Sequence, residues 1–443
     1  MNLDKIQELL LEKKYSLLKE ELLKEQIADI AEFIDELDPK ATLLVFRLLP
    51  KEIASDVFAS LFPESQSELS MQINEKELHN ILEDLYFDDK IDFLEEMPAN
   101  MVKRILKNAP ETERKLINQF LNYPEDSAGS LMTIEFVDLK KEMSIKEALD
   151  KIRRDALDKE TIYTCYVIDA SRHLEGIVSL RDLVIADPTK KVAEIMRKEM
   201  ISVTTVDDNE DVADLISKYD LLAIPVTDNE NRLVGIITID DIVDVIEDEN
   251  TEDFHKMATV GKIDINLRDA SPFFLMQKRL PWLMVLIFMN ILSGAGIAHF
   301  EQTIQSVIAL VFFLPLLIGS AGNAGSQSST LMIRAIAIGD VEISDWFKLL
   351  RKELVVAMLL GLVMAFAVSI ISVFRGGPDV AIVVALSMVV VVLVGCTIGM
   401  SLPFLLSRLK MDPATASGPL VTSIADISGI LIYFSIATWY LGL

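Results

Sequence analysis

The sequence has few of the side chains that usually build disulfides or zinc sites. Its 443 residues include only two cysteines and four histidines. Cys165 and Cys396 form no CxxC motif and no disulfide framework, and the scattered histidines lack the spacing of zinc ligands. The motifs GxxxxGK, GxSxG and HExxH are missing as well. These absences argue against an enzyme with a recognisable nucleophile or metal constellation.

Basic residues are scarce and unevenly distributed. The chain has 42 Lys and Arg against 68 Asp and Glu, a net charge of −26. Residues 276–443 hold nine basic and eight acidic residues, so residues 1–275 hold 33 basic and 60 acidic ones. Such an acidic surface repels phosphate backbones, which argues against a nucleic-acid partner. No long apolar run precedes Leu280, so we expect no signal peptide and a cytosolic N-terminal part.

Five segments of the C-terminal part are long and apolar enough to cross a membrane, which takes about 20 residues. They are residues 280–299, 303–319, 350–374, 380–406 and 415–441. The second runs into the glycine-rich SAGNAGSQ, and helix is expected to resume from Gln327 to Ile338. Pro315 and the glycines predict an interruption of this element.

The distribution of basic residues predicts the orientation in the membrane. With a cytosolic N-terminus, the loops after the second and fourth segments face inward. These loops hold Arg334, Lys348, Arg351, Lys352, Arg408 and Lys410, whereas the external loops hold only Arg375. This asymmetry agrees with the positive-inside rule and places the C-terminus outside the cell membrane.

Asp426 lies in the middle of the fifth segment, where a charged side chain is energetically costly and therefore a functional candidate. At helical spacing it shares one stripe with Thr422, Ser423, Pro419 and Gly429. A small polar stripe with one acid favours a water-filled path. The alternative is a helix–helix seam in which Asp426 hydrogen-bonds a neighbour.

Two amides, Asn323 and Gln327, are one helical turn apart in the second segment and fit the lining of the same path. Close packing of the adjacent glycines explains this segment equally well. One carboxylate per chain suits hydrated Mg²⁺, which typically binds one or two carboxylates and keeps several waters. A two-fold dimer would bring two copies of Asp426 to one axis.

An internal repeat occupies the middle of the chain. VIDASRHLEGIVSLRDLV at 167–184 matches VTDNENRLVGIITIDDIV at 226–243 without a gap. Each copy predicts a strand, a turn, a strand and a helix, preceded by another helix. The pattern resembles a tandem pair of CBS domains, including the ending G-h-h-[ST]-x-x-D in both copies (h is apolar).

The CBS resemblance implies an adenine nucleotide, with the terminal aspartate on a ribose and the hydroxyl near the phosphates. In the first copy these residues are Ser179 and Asp182, and Arg181 supports a phosphate. In the second copy, Asp240 beside Asp241 favours cations instead. The alternative is that Asp182 and Asp241 merely cap helices.

Residues 1–125 are predicted to be entirely helical. A second repeat relates the segment around Pro50 and Pro63 to that around Pro98 and Pro110, which is typical of a helical superhelix. The acidic segment 240–253 is either an exposed linker helix or a cation-dependent switch, because its carboxylates repel one another until a divalent ion bridges them.

The whole chain resembles the MgtE family of magnesium channels, most specifically in GNAGSQSSTLMIRAIA and DPATASGPLVTSIADISGILIYF. The resemblance implies a multidomain α and α+β membrane protein. Its parts would be a helical N domain (1–127), tandem CBS domains (128–249, divided near 195/196), a connecting helix (250–275) and a five-helix membrane domain (276–443). It also implies a homodimer with the pore on the two-fold axis, lined by the second and fifth membrane helices.

The same resemblance implies sites for Mg²⁺ and ATP. Asp426 matches the pore aspartate and Asp412 the acid that faces the connecting helix. The remaining acids match regulatory Mg²⁺ ligands: Asp56, Asp88, Asp208, Glu210, Asp220, Asp241, Asp244, Glu249, Glu252 and Asp253. Cytosolic Mg²⁺ would bridge these acids and close the channel, and ATP at the CBS pair would raise its sensitivity.

Three other functions compete with a channel. A membrane-bound enzyme lacks a recognisable catalytic constellation. A non-transporting sensor of divalent cations and adenine nucleotide does not need five membrane segments or a buried acid. The third is a CBS-regulated chloride channel or an unrelated cation exchanger, and the chloride channel would need a basic pore residue.

Overall fold

The computed structural model describes residues 3–263, 267 and 270–443. They form two compact units, residues 1–247 and 248–443. The predicted fold class is confirmed: a helical N domain, two CBS-type domains and a C-terminal region of apolar helices.

The first unit begins with eleven short helices. Their bounds are α1 Leu3–Leu11, α2 Tyr15–Leu22, α3 Ile27–Asp35, α4 Pro39–Phe46, α5 Lys51–Ala59, α6 Pro63–Gln72, α7 Glu75–Asp84, α8 Phe87–Glu95, α9 Ala99–Asn108, α10 Glu111–Phe120 and α11 Ala128–Leu131. Helices α5 and α6 recur as α9 and α10 with the same spacing between their first residues, which confirms the repeat. Pro50 and Pro98 directly precede the equivalent helices α5 and α9, because proline fits the extended backbone there.

The two CBS-type domains follow in the same unit. The first contains β1 Val137–Leu139, α12 Ile145–Asp155, β2 Thr164–Ile168, β3 Leu174–Ser179 and α13 Leu180–Ile185. The second contains β4 Val203–Thr204, α14 Asn209–Tyr219, β5 Ala223–Thr227, β6 Leu233–Thr238 and α15 Ile239–Met257. Each sheet has one parallel and one antiparallel pair, and the two hairpins meet at the His173–Arg232 bridge. These two residues occupy equivalent positions of the repeat, so the two CBS-type domains form a pseudo-two-fold pair.

One hydrophobic core joins the helical domain to the second CBS domain. It extends from Phe58 and Phe93, whose rings meet edge to face at 5.2 Å, to Val212 and Ile237. This shared core fixes α8 near the start of α15 and so determines which acids come together.

The second unit contains the long apolar helices. They are α16 Pro272–His299, α18 Ala309–Ala337, α19 Trp346–Arg408 and α20 Gly418–Leu441, with the short α17 Glu301–Ser306 between the first two. Within the described residues these four long helices are apolar enough to cross a membrane. At 1.5 Å per residue, α19 would be about 95 Å long if straight. It contains two helices that meet at Gly377, whose φ of +81° suits glycine.

The predicted interruption of the second membrane segment is wrong. Helix α18 runs without a break through Pro315 and the glycines. The glycines serve close packing instead, since a Cβ on Gly322 would lie 2.7 Å from Thr422 and one on Gly325 equally close to the Gly395 carbonyl. A membrane helix tolerates proline because its neighbours compensate for the missing backbone hydrogen bond.

The predicted connecting helix 250–275 is also wrong in its extent. It is the end of α15, which stops at Met257, and the next helix begins at Pro272. Thr259 adopts a left-handed conformation (φ +56°), and the Val260 amide donates to the His255 carbonyl, which closes the helix end. Part of the predicted range, residues 264–266 and 268–269, lies outside the described residues.

Candidate functional site

Helix α18 has two chemically different faces. Its small residues, including Gly322 and Gly325, are buried against α19 and α20. Asn323, Gln327, Thr330 and Arg334 form an exposed stripe on the other face. The packing and polar interpretations of this segment therefore describe opposite sides of one helix.

Asp426 lies on α20, which packs against α18. Its Oδ1 atom is buried, and no described residue hydrogen-bonds to it. Ser423 is buried and donates its hydroxyl to the Pro419 carbonyl at 2.9 Å, while Thr422 contacts the position of Gly322. The alternative in which Asp426 hydrogen-bonds a neighbouring helix is not supported at Oδ1. This buried acceptor is suited to a hydrated cation or a water.

The end of α15 meets the loop before α20 within the second unit. The Lys256 ammonium lies 2.6 Å from Oδ2 of Asp412 and also contacts Glu252, and Lys262 lies 3.4 Å from the second oxygen of Glu252. Burial alone would lower the pKa of Lys256, but hydrogen bonds to Asp412 and Glu252 outweigh it and raise the pKa. The predicted residues Asp412 and Glu252 are therefore brought together around a lysine.

Other predicted acids of α15 lie along the same helix. Burial, followed by the charge of Asp412, raises the pKa of Asp253. Glu249 is half-buried, whereas Asp244, five residues earlier, is exposed. Asn250 lies 3.5 Å from Arg334, which ties this segment to the end of α18.

In the first unit, acids of α8 face acids at the start of α15. Burial, followed by the charge of Asp241, raises the pKa of Asp88 to about 9. The same two causes raise the pKa values of Asp92 and Glu160 to about 7, and burial with the charge of Asp240 raises that of Asp89 to about 6. We call Asp88, Asp89, Asp92, Glu160 and Asp241 the acid cluster. It unites residues from α8, the first CBS domain and the second.

Sequence reasoning found Asp88 and Asp241 but missed Asp89, Asp92 and Glu160. A signal was available for the helix, because DDKID places Asp88 and Asp92 one turn apart on one face. No local pattern marks Glu160, which lies between the helix and strand of the first CBS domain.

The remaining predicted ligands are only partly brought together. Burial raises the pKa of Asp56, and its charge reaches Asp89, so it borders the acid cluster. Asp208 caps α14, Glu210 lies in its first turn, and Asp220 follows its last turn. The whole helix therefore separates Asp220 from the other two acids. No group of three potential ligands is arranged around a common point in the described part of the chain.

The predicted nucleotide residues surround the start of α13. The Ser179 hydroxyl accepts from the Asp182 amide at 3.0 Å, so the helix cap is Ser179 and not Asp182. The carboxylate of Asp182 lies 3.8 Å from the Arg197 guanidinium, and Arg181 is exposed beside it. Two arginines near a carboxylate suit a phosphorylated ribose.

The equivalent position in the second CBS domain has the opposite electrostatics. Asp241 is the third residue of α15 and accepts from the Thr238 hydroxyl at 2.7 Å, so it is not the N-cap residue of that helix. Burial, despite this hydrogen bond, raises the pKa of Asp241 to about 6, and the charges of Asp240 and Asp89 act in the same direction. These neighbouring acids disfavour a phosphate at this position, and the binding of a cation here stays a prediction.

Comparisons with known proteins cover all of these regions. Residues 314–436 match the family described as divalent cation transporter, and residues 25–126 match the MgtE intracellular N domain. Residues 128–188 and 192–248 match the CBS domain.

Relatives match along nearly the whole chain. The magnesium transporter MgtE of Thermus thermophilus is 40% identical over 98% of this chain and 97% of its own length. The Bacillus subtilis protein of the same name is 35% identical over 94% and 95%. The solved cytosolic domain of the Mg²⁺ channel MgtE in complex with ATP matches 55% of this chain and 99% of its own, with 39% identity and a TM-score of 0.53. The chain therefore belongs to the MgtE family of magnesium transporters, which are not enzymes.

Proposed function

We propose that this protein is a homodimeric Mg²⁺ channel of the cell membrane, closed by cytosolic Mg²⁺ and modulated by ATP. The observation that carries the pore assignment is the buried Oδ1 of Asp426, which has no hydrogen-bond partner among the described residues. An intramembrane carboxylate costs about 2.5–3.5 kcal/mol even by insertion scales, so a protein keeps one where it meets an ion or water.

The polar face of α18 supports the proposal that two copies of the chain form a dimer. Asn323 and Gln327 are exposed on a helix whose other face is fully packed. Polar side chains of membrane helices usually face the bundle interior or a water-filled cavity. A partner across a two-fold axis would cover this face and add a second Asp426, which suits a hydrated divalent ion.

We place the feedback sites at the acid cluster and at the end of α15. Raised carboxyl pKa values mean that the packed unit binds protons more tightly than the unfolded chain. The contribution of these carboxyl groups to packing is therefore fully present below their ordinary pKa of about 4 and is lost as the pH rises through about 6 to 9. A divalent cation can replace these protons at neutral pH, so high cytosolic Mg²⁺ would hold this packing closed.

Orientation follows from the same proposal. The acidic N-terminal part is cytosolic, and the six basic residues of the inner loops keep the C-terminus outside. Asp412, Glu249, Glu252 and Asp253 then lie at the inner surface, where cytosolic Mg²⁺ reaches them. Asp208, Glu210, Asp220 and Asp244 are proposed as further ligands between cytosolic domains.

The proposal is tested by Mg²⁺ flux into proteoliposomes that hold the full-length protein, with internal Mg²⁺ set low and then high. We expect flux at low internal Mg²⁺ and its loss at high internal Mg²⁺. Absence of flux under both conditions would leave a non-transporting sensor of cation and nucleotide.

Replacing Lys256 with Met tests the site at the end of α15. The ammonium competes with Mg²⁺ for Asp412 and Glu252, so its removal should strengthen divalent binding. A partly exposed ion pair contributes about 1 kcal/mol, and we expect the Mg²⁺ concentration for half closure to fall about fivefold. Lys256→Arg keeps the charge and should behave like the wild type. A rise in the half-closing concentration would mean that Lys256 itself holds the gate shut.

Replacing Asp182 with Ala tests the nucleotide site. Hydrogen bonds from ribose hydroxyls to a carboxylate contribute about 1.5–3 kcal/mol, so ATP affinity should fall about tenfold or more. Titration of ATP into the full-length protein, followed calorimetrically, measures this. Asp241→Asn changes the equivalent position of the second CBS domain and should leave ATP affinity unchanged. Equal losses in both variants would contradict a nucleotide site confined to the first CBS domain.

A further inference from the structure

The two helices of α19 form a hairpin that turns at Gly377. A cavity of about 470 Å³ lies at the other end of this hairpin, between the start and the last turns of α19. It is lined by Ile343, Trp346, Ile398, Leu402, Leu405 and Arg408. Apart from Arg408 and the hydroxyl of Ser401, its walls are apolar. Walls of this kind favour the binding of apolar groups.

The polar end of Trp346 does not face the cavity as a free donor. Its indole N–H donates to the Ser401 hydroxyl at 3.3 Å, which joins the start of α19 to its last turns. The ring therefore stands as a fixed apolar wall, with 37% of the residue exposed. Tryptophan is enriched at the boundary between lipid and water, where helix ends lie.

Charge at this end of the hairpin is mixed. Arg408 lines the cavity, and Lys410, Lys348, Arg351 and Lys352 lie within two turns of the same helix ends. Five acids lie within the same distance, namely Asp340, Glu342, Asp345, Glu353 and Asp412. Three of them are engaged with other groups, and Asp412 contacts the Lys256 ammonium. Asp345 accepts from the Glu342 amide at 3.3 Å, and Glu342 accepts from the Ser344 hydroxyl at 3.3 Å. Glu353 lies nearly two turns from Trp346 along α19, and Asp340 lies three residues before Ile343. The charged side chain that lines the cavity is Arg408.

We propose that this cavity binds an anionic phospholipid of the surrounding membrane. One acyl chain would lie against Trp346, Leu402 and Leu405, and the phosphate would pair with Arg408. The guanidinium binds phosphate oxygens in a bidentate manner, and basic pockets between membrane helices suit anionic headgroups. The site is separate from Asp426 and from the acids of α15, so it does not depend on the proposed channel activity.

The test uses full-length protein in vesicles with Trp346 as the only tryptophan, in a Trp282→Phe, Trp439→Phe background. Phosphatidylglycerol brominated on its acyl chain quenches a tryptophan that it contacts, and brominated phosphatidylcholine serves as the comparison. We expect phosphatidylglycerol to quench Trp346 at a mole fraction about fivefold lower than phosphatidylcholine. One basic residue near the membrane surface strengthens the binding of an anionic lipid by about this factor. Arg408→Gln should make the two lipids equal, whereas Lys410→Gln, a neighbour that does not line the cavity, should keep the difference.

Three results would overturn this assignment. One is equal quenching by both lipids in the parent protein, and another is an unchanged preference in Arg408→Gln. The third combines two findings: neither lipid quenches Trp346, and the oligomeric mass changes in Arg408→Gln. Together they would show that a second copy covers the cavity. Leu405→Trp in a Trp346→Phe background adds a reporter inside the cavity, so the result does not rest on one side chain.

Discussion

Mg²⁺ flux through the Asp426→Asn variant is expected to fall at least about a hundredfold, which corresponds to about 2.7 kcal/mol at the pore. Asparagine has nearly the same size as aspartate, so packing against α18 is kept while the charge is lost. The buried Oδ1 has no described hydrogen-bond partner, so the carboxylate is the group that an entering cation would meet. Uptake of Mg²⁺ into proteoliposomes at low internal Mg²⁺ measures the loss.

The control for this variant is Asp379→Asn, the same change at an exposed acid near the start of the second half of α19. It should conduct like the wild type, because its charge lies outside the proposed path. Asp426→Glu keeps the charge and should retain part of the flux. Normal flux in Asp426→Asn would remove this residue from the pore and favour a structural role in the α18–α20 seam.

Asp241→Ala is expected to leave flux at low internal Mg²⁺ intact and to raise the Mg²⁺ concentration for half closure about tenfold. The substitution removes the acid that faces Asp88, Asp92 and Glu160 in the acid cluster. A ligand contributing about 1.4 kcal/mol to a bound divalent ion gives this factor. Flux measured over a series of internal Mg²⁺ concentrations gives the shift.

A thermal measurement separates this role from a general loss of stability. Without divalent cations, removing one of several repelling acids should raise the melting temperature of Asp241→Ala above that of the wild type. Addition of Mg²⁺ should then stabilise the variant less than the wild type. Glu247→Gln, an exposed acid on the same helix, should change neither quantity. Wild-type closure in Asp241→Ala would exclude this residue from the feedback site.

Local patterns predicted the fold well because they are repeated along the chain. The gap-free match of 167–184 to 226–243 predicted two equivalent domains. Both sheets even carry a register shift at equivalent positions, Val167/Ile168 and Val226/Thr227. Two local predictions failed for a shared reason, because packing and turn geometry outweighed the local signal. Glycines of α18 looked like helix breakers but fit against α19 and α20, and the end of α15 is set by the turn at Thr259.

The candidate sites were predictable only in part. An acid at membrane depth is visible in sequence because its neighbours are apolar, so Asp426 stood out. Asp89 and Asp92 looked like ordinary solvated acids of an exposed helix. They differ only because the shared core brings α8 against the start of α15, the last helix of the second CBS domain, which is distant in the chain.

The sequence by itself determined the apolar segments, the CBS-type repeat, the helical N-terminal part and the family, because each is written in the order and spacing of residues. Tertiary structure alone decided which charges meet. It joined Asp88 to Asp241 and Glu160, placed Lys256 between Glu252 and Asp412, and turned the amides of α18 away from its packed glycines. The physical reason is that the energy of a charge depends on burial and on distances through space, and neither is contained in local sequence.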